Sequence, residues 1–234
     1  MENQPVYALA ISPHPFDNEW GMAGTVARWK REGKEVVYVI CTNGDKGSMD
    51  LKVAARDLAK TRKQEQLEAA RVLGVKETIF LDYPDLELEY TPAFRKVMLA
   101  LILKYRPEVV TTCDPHNSAF LSNPDHRATA RAVLDAVWPY ALAPNTYRDL
   151  IDQGLKPHKV KQILLWASAQ TNYKVDITAT FETKMAAIRC HQSQVKVLPE
   201  GWYERLVERN KAAAKGESYE LAEAFQQVEV LQRL

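Results

Sequence analysis

Apolar and polar positions alternate along the chain in short blocks, and the blocks change period in a regular order. Residues 6–13 (VYALAISP) are apolar without a helical repeat and stop at Pro13, which predicts a buried strand. The run after it, EWGMAGTVARWKRE, reads as a helix with Asp17 or Asn18 as its cap and Gly33 closing it. EVVYVICT (35–42) is a second buried strand, followed by the polar loop NGDKGSMD. A long helix is expected over about 53–73, with Ala55, Leu58, Leu67, Ala70 and Leu73 forming its apolar face and Gly74 ending it. Strand 77–82, helix 91–105, strand 108–114 and helix 125–142 continue the alternation. Strands at 159–168 and 173–178, a helix at 180–191 and a charged, largely helical C-terminal region complete the reading. Residues 143–158 read as a surface excursion. Alternating strands and helices of these lengths predict an α/β, Rossmann-like three-layer domain with a mostly parallel sheet and helices on both faces. One domain is expected across residues 1–234.

Composition changes this picture little and narrows the function. There are 31 Lys+Arg against 30 Asp+Glu, so the charge excess that phosphate backbones attract is missing and nucleic acid is not an expected partner. No apolar run reaches the roughly 18 residues of a membrane span. Cys41, Cys113 and Cys190 are scattered, which suits a reducing cytoplasm. Five of the nine glycines fall between Gly21 and Gly47, yet GMAG lacks the third glycine of a dinucleotide loop. The amphipathic run from Trp202 toward the C-terminus suits either a subunit interface in a homo-oligomer or a cover for the chain's own core.

Ligands of open α/β sheets sit beyond the carboxyl ends of the strands. The residues expected there are His14-Pro15-Phe16-Asp17, Thr42-Asn43-Gly44-Asp45, Tyr83-Pro84-Asp85 and Asp114-Pro115-His116. His14 and Asp17 with His126 make two imidazoles and a carboxylate, a donor set that suits Zn²⁺ with a fourth position open. Taken singly, each has an ordinary alternative: Asp17 as a helix cap, the histidines as surface residues.

From ISPHPFDNEWGMAG to HQSQ the chain resembles the PIG-L/LmbE zinc-dependent N-deacetylases over roughly residues 6–195. The matching motifs are His14-Pro15-Phe16-Asp17, the Thr42-Asn43-Gly44 loop, Arg62 with Glu65, Tyr83-Pro84-Asp85, Asn123-Pro124-Asp125-His126, and Lys184 with His191-Gln192-Ser193-Gln194. The resemblance implies zinc on His14, Asp17 and His126, and an N-acetylated amino sugar or its conjugate as substrate. It also implies a sugar or phosphate contact for Arg62. Asp85 reads as an anchor of its loop, and Trp20 as either packing or a sugar-stacking platform. Two positions depart from the family. The base aspartate is replaced by Phe16, which has no titratable group, and the oxyanion-supporting histidine by Asn123, whose amide can still donate a hydrogen bond. Candidates for a relocated acid or base are His191 and Asp114 first, then Glu19, Asp45 and His116. A positioned base contributes about 10²–10⁴-fold, so its loss implies a slow or redirected hydrolase, or a pseudoenzyme that binds metal and sugar without turnover.

Overall fold

The computed structural model describes residues 5–117 and 123–230. Strands β1 (Ala8–Ser12), β2 (Val36–Thr42), β3 (Glu77–Tyr83), β4 (Val109–Cys113), β5 (Gln162–Trp166), β6 (Tyr173–Asp176) and β7 (Ala222–Glu229) form one sheet in the order β3-β2-β1-β4-β5-β7-β6. The first five run parallel; β7 pairs antiparallel with both β5 and β6. β1, β2 and β4 are buried along their whole length, which is why β1 and β2 are almost wholly apolar in sequence and β4 is built of small and β-branched residues. From β1 the chain builds outward through β2 to β3, then returns to place β4 on the other side of β1. Between β1 and β4 the winding direction reverses, and at such a point the connections diverge and leave a crevice at the carboxyl ends.

The helices are α1 (Asp17–Arg31), α2 (Ala55–Leu73), α3 (Pro92–Tyr105), α4 (Pro124–Asp135), α5 (Arg148–Asp152), α6 (Phe181–Cys190), α7 (Gln192–Val195) and α8 (Trp202–Ala213). Two apolar cores lie on opposite faces of the sheet. Leu9 and Ile11 of β1 pack with Phe94, Met98 and Ile102 of α3 and with Val133 of α4. Ala8 and Ala10, the alternate residues of the same strand, face Met22 and Val26 of α1, Leu73 of α2 and Met185 of α6.

Three expectations need correction. The C-terminal region is not largely helical: α8 stops at Ala213, and β7 enters the sheet. Ala, Glu and Gln in AEAFQQVE favour a helix intrinsically, but strand pairing on both sides overrides propensity. The helix expected over 125–142 keeps its α form only to Asp135 and passes into a wider turn over 136–140 that contains Pro139. The excursion at 143–158 includes the short α5 and buries Leu150 and Leu155.

α1 is interrupted at Met22 (φ −152°, ψ 16°), and the break is stabilised by residues distant in sequence. Glu223 of β7 accepts from the backbone N–H groups of Gly24 (3.1 Å) and Thr25 (2.7 Å), capping the restarted helix. Lys184 of α6 is paired with Glu223 and donates to the carbonyl of Trp20 at 3.1 Å. Both charges are buried, so removing one partner alone is costly: Lys184→Met should lower stability by about 3–5 kcal/mol, and Lys184→Met with Glu223→Leu should recover part of it. Burial pushes the Lys184 ammonium down to about 8 although Glu223 opposes the shift. Between pH 8 and 10.5 the unfolded chain therefore holds a proton that the folded chain has released. The contribution of this group rises with pH across that window, so the stability gap between wild type and Lys184→Met should widen in urea unfolding.

Candidate metal and hydrolase site

The turn after β1 has a conformation that its own residues do not favour. Phe16 stands at φ 89°, ψ −29°, in the left-handed region, which costs a non-glycine residue roughly 1–3 kcal/mol. Two side chains one turn apart on α2 hold it there. The guanidinium of Arg62 donates to the carbonyl of Pro15 (2.8 Å), and Gln66 Oε1 accepts from the N–H of Phe16 (3.0 Å). Arg62 also donates to the carbonyl of Gly44 at 2.8 Å. A Cβ on Gly44 or Gly47 would stand 2.4 or 2.3 Å from its guanidinium, so these two glycines let the second loop close over the arginine. Gln66 passes the contact on, donating to the buried Glu19 at 2.8 Å. Gln66→Leu would take the partner from the Phe16 N–H and from Glu19 Oε1. It should cost roughly 2–3 kcal/mol, read as a lower urea midpoint without change of slope.

This clamp was legible only in part. The buried stripe of α2 is Leu58, Arg62, Gln66, Ala69, Ala70 and Leu73, while Leu67, expected on the apolar face, is 42% exposed. Glu65 does not pair with Arg62; its carboxylate accepts from the N–H and hydroxyl of Ser193, both at 2.6 Å.

The turn delivers His14 and Asp17 into the crevice, and α4 delivers their partner. Asn123 caps α4 by accepting from the N–H of Asp125 (3.0 Å), and Pro124 follows at the first helical position. The first turn of α4 thereby places Asp125 and His126 beside β1. Asp17 Oδ2 lies 3.0 Å from His14 Nδ1 and 3.5 Å from His126 Nε2. The donor atoms of His14, Asp17 and His126 all fall within 4.8 Å of one another. The three expected ligands therefore converge.

A second group, His14 with Asp85 and Asp125, meets the same distance criterion. His14 Nε2 lies 3.1 Å from both carboxylates. Asp125, however, already accepts from the N–H groups of Leu86 (2.7 Å) and Leu88 (3.1 Å), one on each oxygen. Its arrangement suits holding the far nitrogen of His14, as carboxylates behind metal-bound imidazoles do. Asp85, expected as a loop anchor, also lies 3.7 Å from the Arg62 guanidinium.

The electrostatics follow from this packing. Burial works against a charged His14, but Asp17, Asp125 and Asp85 outweigh it and raise its pKa well above the ordinary value. Burial would raise Asp17; His126 and His14 instead hold it below the usual carboxylate range. His126 is lowered, chiefly by burial. The three carboxylates thus create a strongly cation-favouring spot around His14.

A cleft of about 290 Å³ opens on this group, lined also by Phe16, Lys46, Arg62, Asn123 and Gln194. Of the remaining residues singled out from sequence, several lie elsewhere. His191 is fully buried, 3.3 Å from Glu19 and edge-on to the Phe16 ring at 5.2 Å between centroids. Asp114 is buried and accepts from the N–H of His116 at 2.8 Å. Asp45 accepts from the N–H of Asp85 at 3.2 Å. None of these, nor Glu19 or His116, lines the cleft as described. Trp20 stands one ring further out, its centroid 5.6 Å from that of Phe16.

Residues 9–137 match the PIG-L family, described as GlcNAc-PI de-N-acetylase. The chain belongs to this family. It is 37% identical over 186 residues to a diacetylchitobiose deacetylase from Thermococcus kodakarensis, covering 80% of this chain and 69% of that one. Among solved structures, the N,N'-diacetylchitobiose deacetylase from Pyrococcus horikoshii superposes with TM-score 0.88 at 34% identity, over 95% of this chain and 84% of that one. The 4-carboxy-2-hydroxymuconate hydratase from Pseudomonas putida KT2440 shares the fold over the whole of both chains, with TM-score 0.78 at 22% identity. In this chain Phe16 stands in sequence between His14 and Asp17, two members of the group that could hold a metal ion.

Proposed function

We propose that this chain is a zinc-dependent hydrolase that removes the acetyl group from an N-acetylated amino sugar or its conjugate, turning over slowly. The observation that carries the reading is the convergence of His14, Asp17 and His126 on one side of a cleft lined also by Asn123. Two imidazoles and one carboxylate are the donor chemistry zinc takes when a position is left for substrate. When bound, zinc supplies Lewis-acid polarisation of the acetamide carbonyl and lowers the pKa of water toward about 7.

The chain's own residues do the rest. Asp85 and Asp125 fix the His14 ring from behind. Asn123 directs its Oδ1 to the helix cap, so its Nδ2 is the donor for the oxyanion that forms on the carbonyl. Phe16 walls the cleft with a ring and supplies no base, so deprotonating the attacking water has no side-chain assistance from that turn. Arg62 spends donors on two backbone carbonyls, so its main task is to hold the turn, with a substrate contact secondary. Among the described residues no helix is long and apolar enough to cross a membrane, and all three cysteines are free. A cytoplasmic enzyme acting on a small molecule fits both.

Acetate release from N-acetylglucosamine and diacetylchitobiose, with zinc supplied, tests the reading. Slow zinc-dependent release supports it; release that survives chelation counts against it. Phe16 also favours a second reading, a pseudoenzyme of the same fold. Saturable zinc and amino-sugar binding without acetate release, unrepaired by Phe16→Asp, would select that reading instead.

A further inference from the structure

A second concavity, of about 270 Å³, lies beyond Phe16 between the start of α1 and α8, lined by Trp20, Leu198, Pro199, Trp202, Arg205 and Arg209 among others. Two runs of residues link its lining to that of the cleft. One is aromatic: the Phe16 ring borders the cleft, Trp20 is its neighbour, and Trp202 follows with its centroid 6.3 Å from that of Trp20. The other is the segment from Gln194, which lines the cleft, to Leu198, which lines the trough.

The charges in the trough are one-sided. Among the described residues neither Arg205 nor Arg209 forms an ion pair. Arg209 lies over Trp20 (5.3 Å to the ring centroid) and donates to its carbonyl at 2.8 Å, so it is fixed in place. Arg205 is exposed and donates to the carbonyl of Pro199 at 3.1 Å. Glu223, the carboxylate that acts on Arg209, is already occupied by Lys184 and by the N–H groups of Gly24 and Thr25. The Trp202 indole and the exposed Arg205 guanidinium offer stacking to the face of a ring and charge-assisted hydrogen bonds to an anionic substituent, with Arg209 adding positive charge over Trp20.

We propose that this trough is a binding subsite for an anionic sugar ring, carboxylate- or phosphate-bearing, joined to the N-acetylated sugar that occupies the cleft. The ring stacks on Trp202, and its anionic group pairs with Arg205. The proposal rests on the deacetylase reading for its consequence in turnover, but not for binding. A free anionic sugar should occupy the trough even if the cleft performs no hydrolysis.

Titrations of the full-length protein with methyl β-D-glucuronide and with glucose 6-phosphate, each beside methyl β-D-glucoside, test it by ligand-detected NMR. The expected result is saturable binding of at least one anionic sugar, about tenfold or more tighter than the neutral glucoside. Arg205→Gln should weaken it about tenfold and Arg205→Lys less, since a lysine keeps the charge but not the planar fork. Trp202→Ala should also weaken it about tenfold, and His14→Ala should leave it unchanged. Which of the two anionic sugars binds tighter identifies the substituent. Equal binding of the glucoside, loss of binding in His14→Ala, or indifference to both Arg205→Gln and Trp202→Ala would overturn the proposal. So would a Leu198→Glu variant that falls apart from a larger assembly while wild type binds no sugar, because the trough would then hold a second copy of the chain. Anionic-sugar binding without acetate release separates failure of the hydrolase reading from failure of the subsite; acetate release without that binding does the reverse.

Discussion

Phe16→Asp should raise the rate of acetate release from diacetylchitobiose by about 10²–10⁴-fold, the range a positioned general base supplies. The substitution needs no rebuilding of the turn. Arg62 and Gln66 grip the Pro15–Phe16 peptide by its carbonyl and its N–H, so the side chain should leave the chain in the same direction. Aspartate also tolerates the left-handed conformation better than phenylalanine. Phe16→Asn is the matched control, since it eases the backbone equally and cannot accept the proton. A gain with Asp and not with Asn assigns the deficit to the missing base. Equal gains would point to strain or steric blockage by the ring, and no gain with zinc bound would remove position 16 from the mechanism.

Asp17→Asn should have the largest effect in the opposite direction, a fall in activity of about 10³-fold or more with loss of tightly bound metal, because metal polarisation supplies several kcal/mol. A single oxygen of Asp17 meets both imidazoles of the site, so a neutral amide there removes the one charge shared by both. Asp125→Asn should cost less, about 10–100-fold, because Asp125 acts on the far side of His14 and orients it. Metal content by elemental analysis and acetate release, measured on both variants, give this ordering. A reversed ordering would mean that His14, Asp85 and Asp125 form the ion's site instead.

The parts of the fold read correctly from sequence are those set by local pattern. β1, β2 and β4 are buried on both faces, and their short length and β-branched or aromatic content mark them as strands. β7 was missed because its neighbours come from β5 and β6, and no local period shows that AEAFQQVE is paired on both edges. The site divides the same way. His14 and Asp17 directly follow β1, and His126 lies in the first turn of the helix that follows β4, so their order along the chain points to one edge of the sheet. Gln66 carries no chemistry of its own, and its task appears only when α2 packs against the β1 turn. The i, i+4 spacing of Leu58, Arg62 and Gln66 was the available signal: two polar residues continue an apolar stripe. Asp125 was hidden beside His126, and its closeness to His14 spans 111 positions. His191 and Asp114 carried the right chemistry, but burial behind Phe16 and in a turn are properties of the packed molecule. A hydratase with the same fold shows why that packing matters, since the fold alone does not name the reaction.

The most direct test of the account is a zinc titration of chelator-stripped protein with acetate release followed in parallel, for wild type and for Asp17→Asn. The account predicts that wild-type activity, though slow, rises with zinc and levels off near one ion per chain, while Asp17→Asn shows neither tight uptake nor activity. Activity in the stripped protein, or equal zinc uptake by both forms, would contradict it.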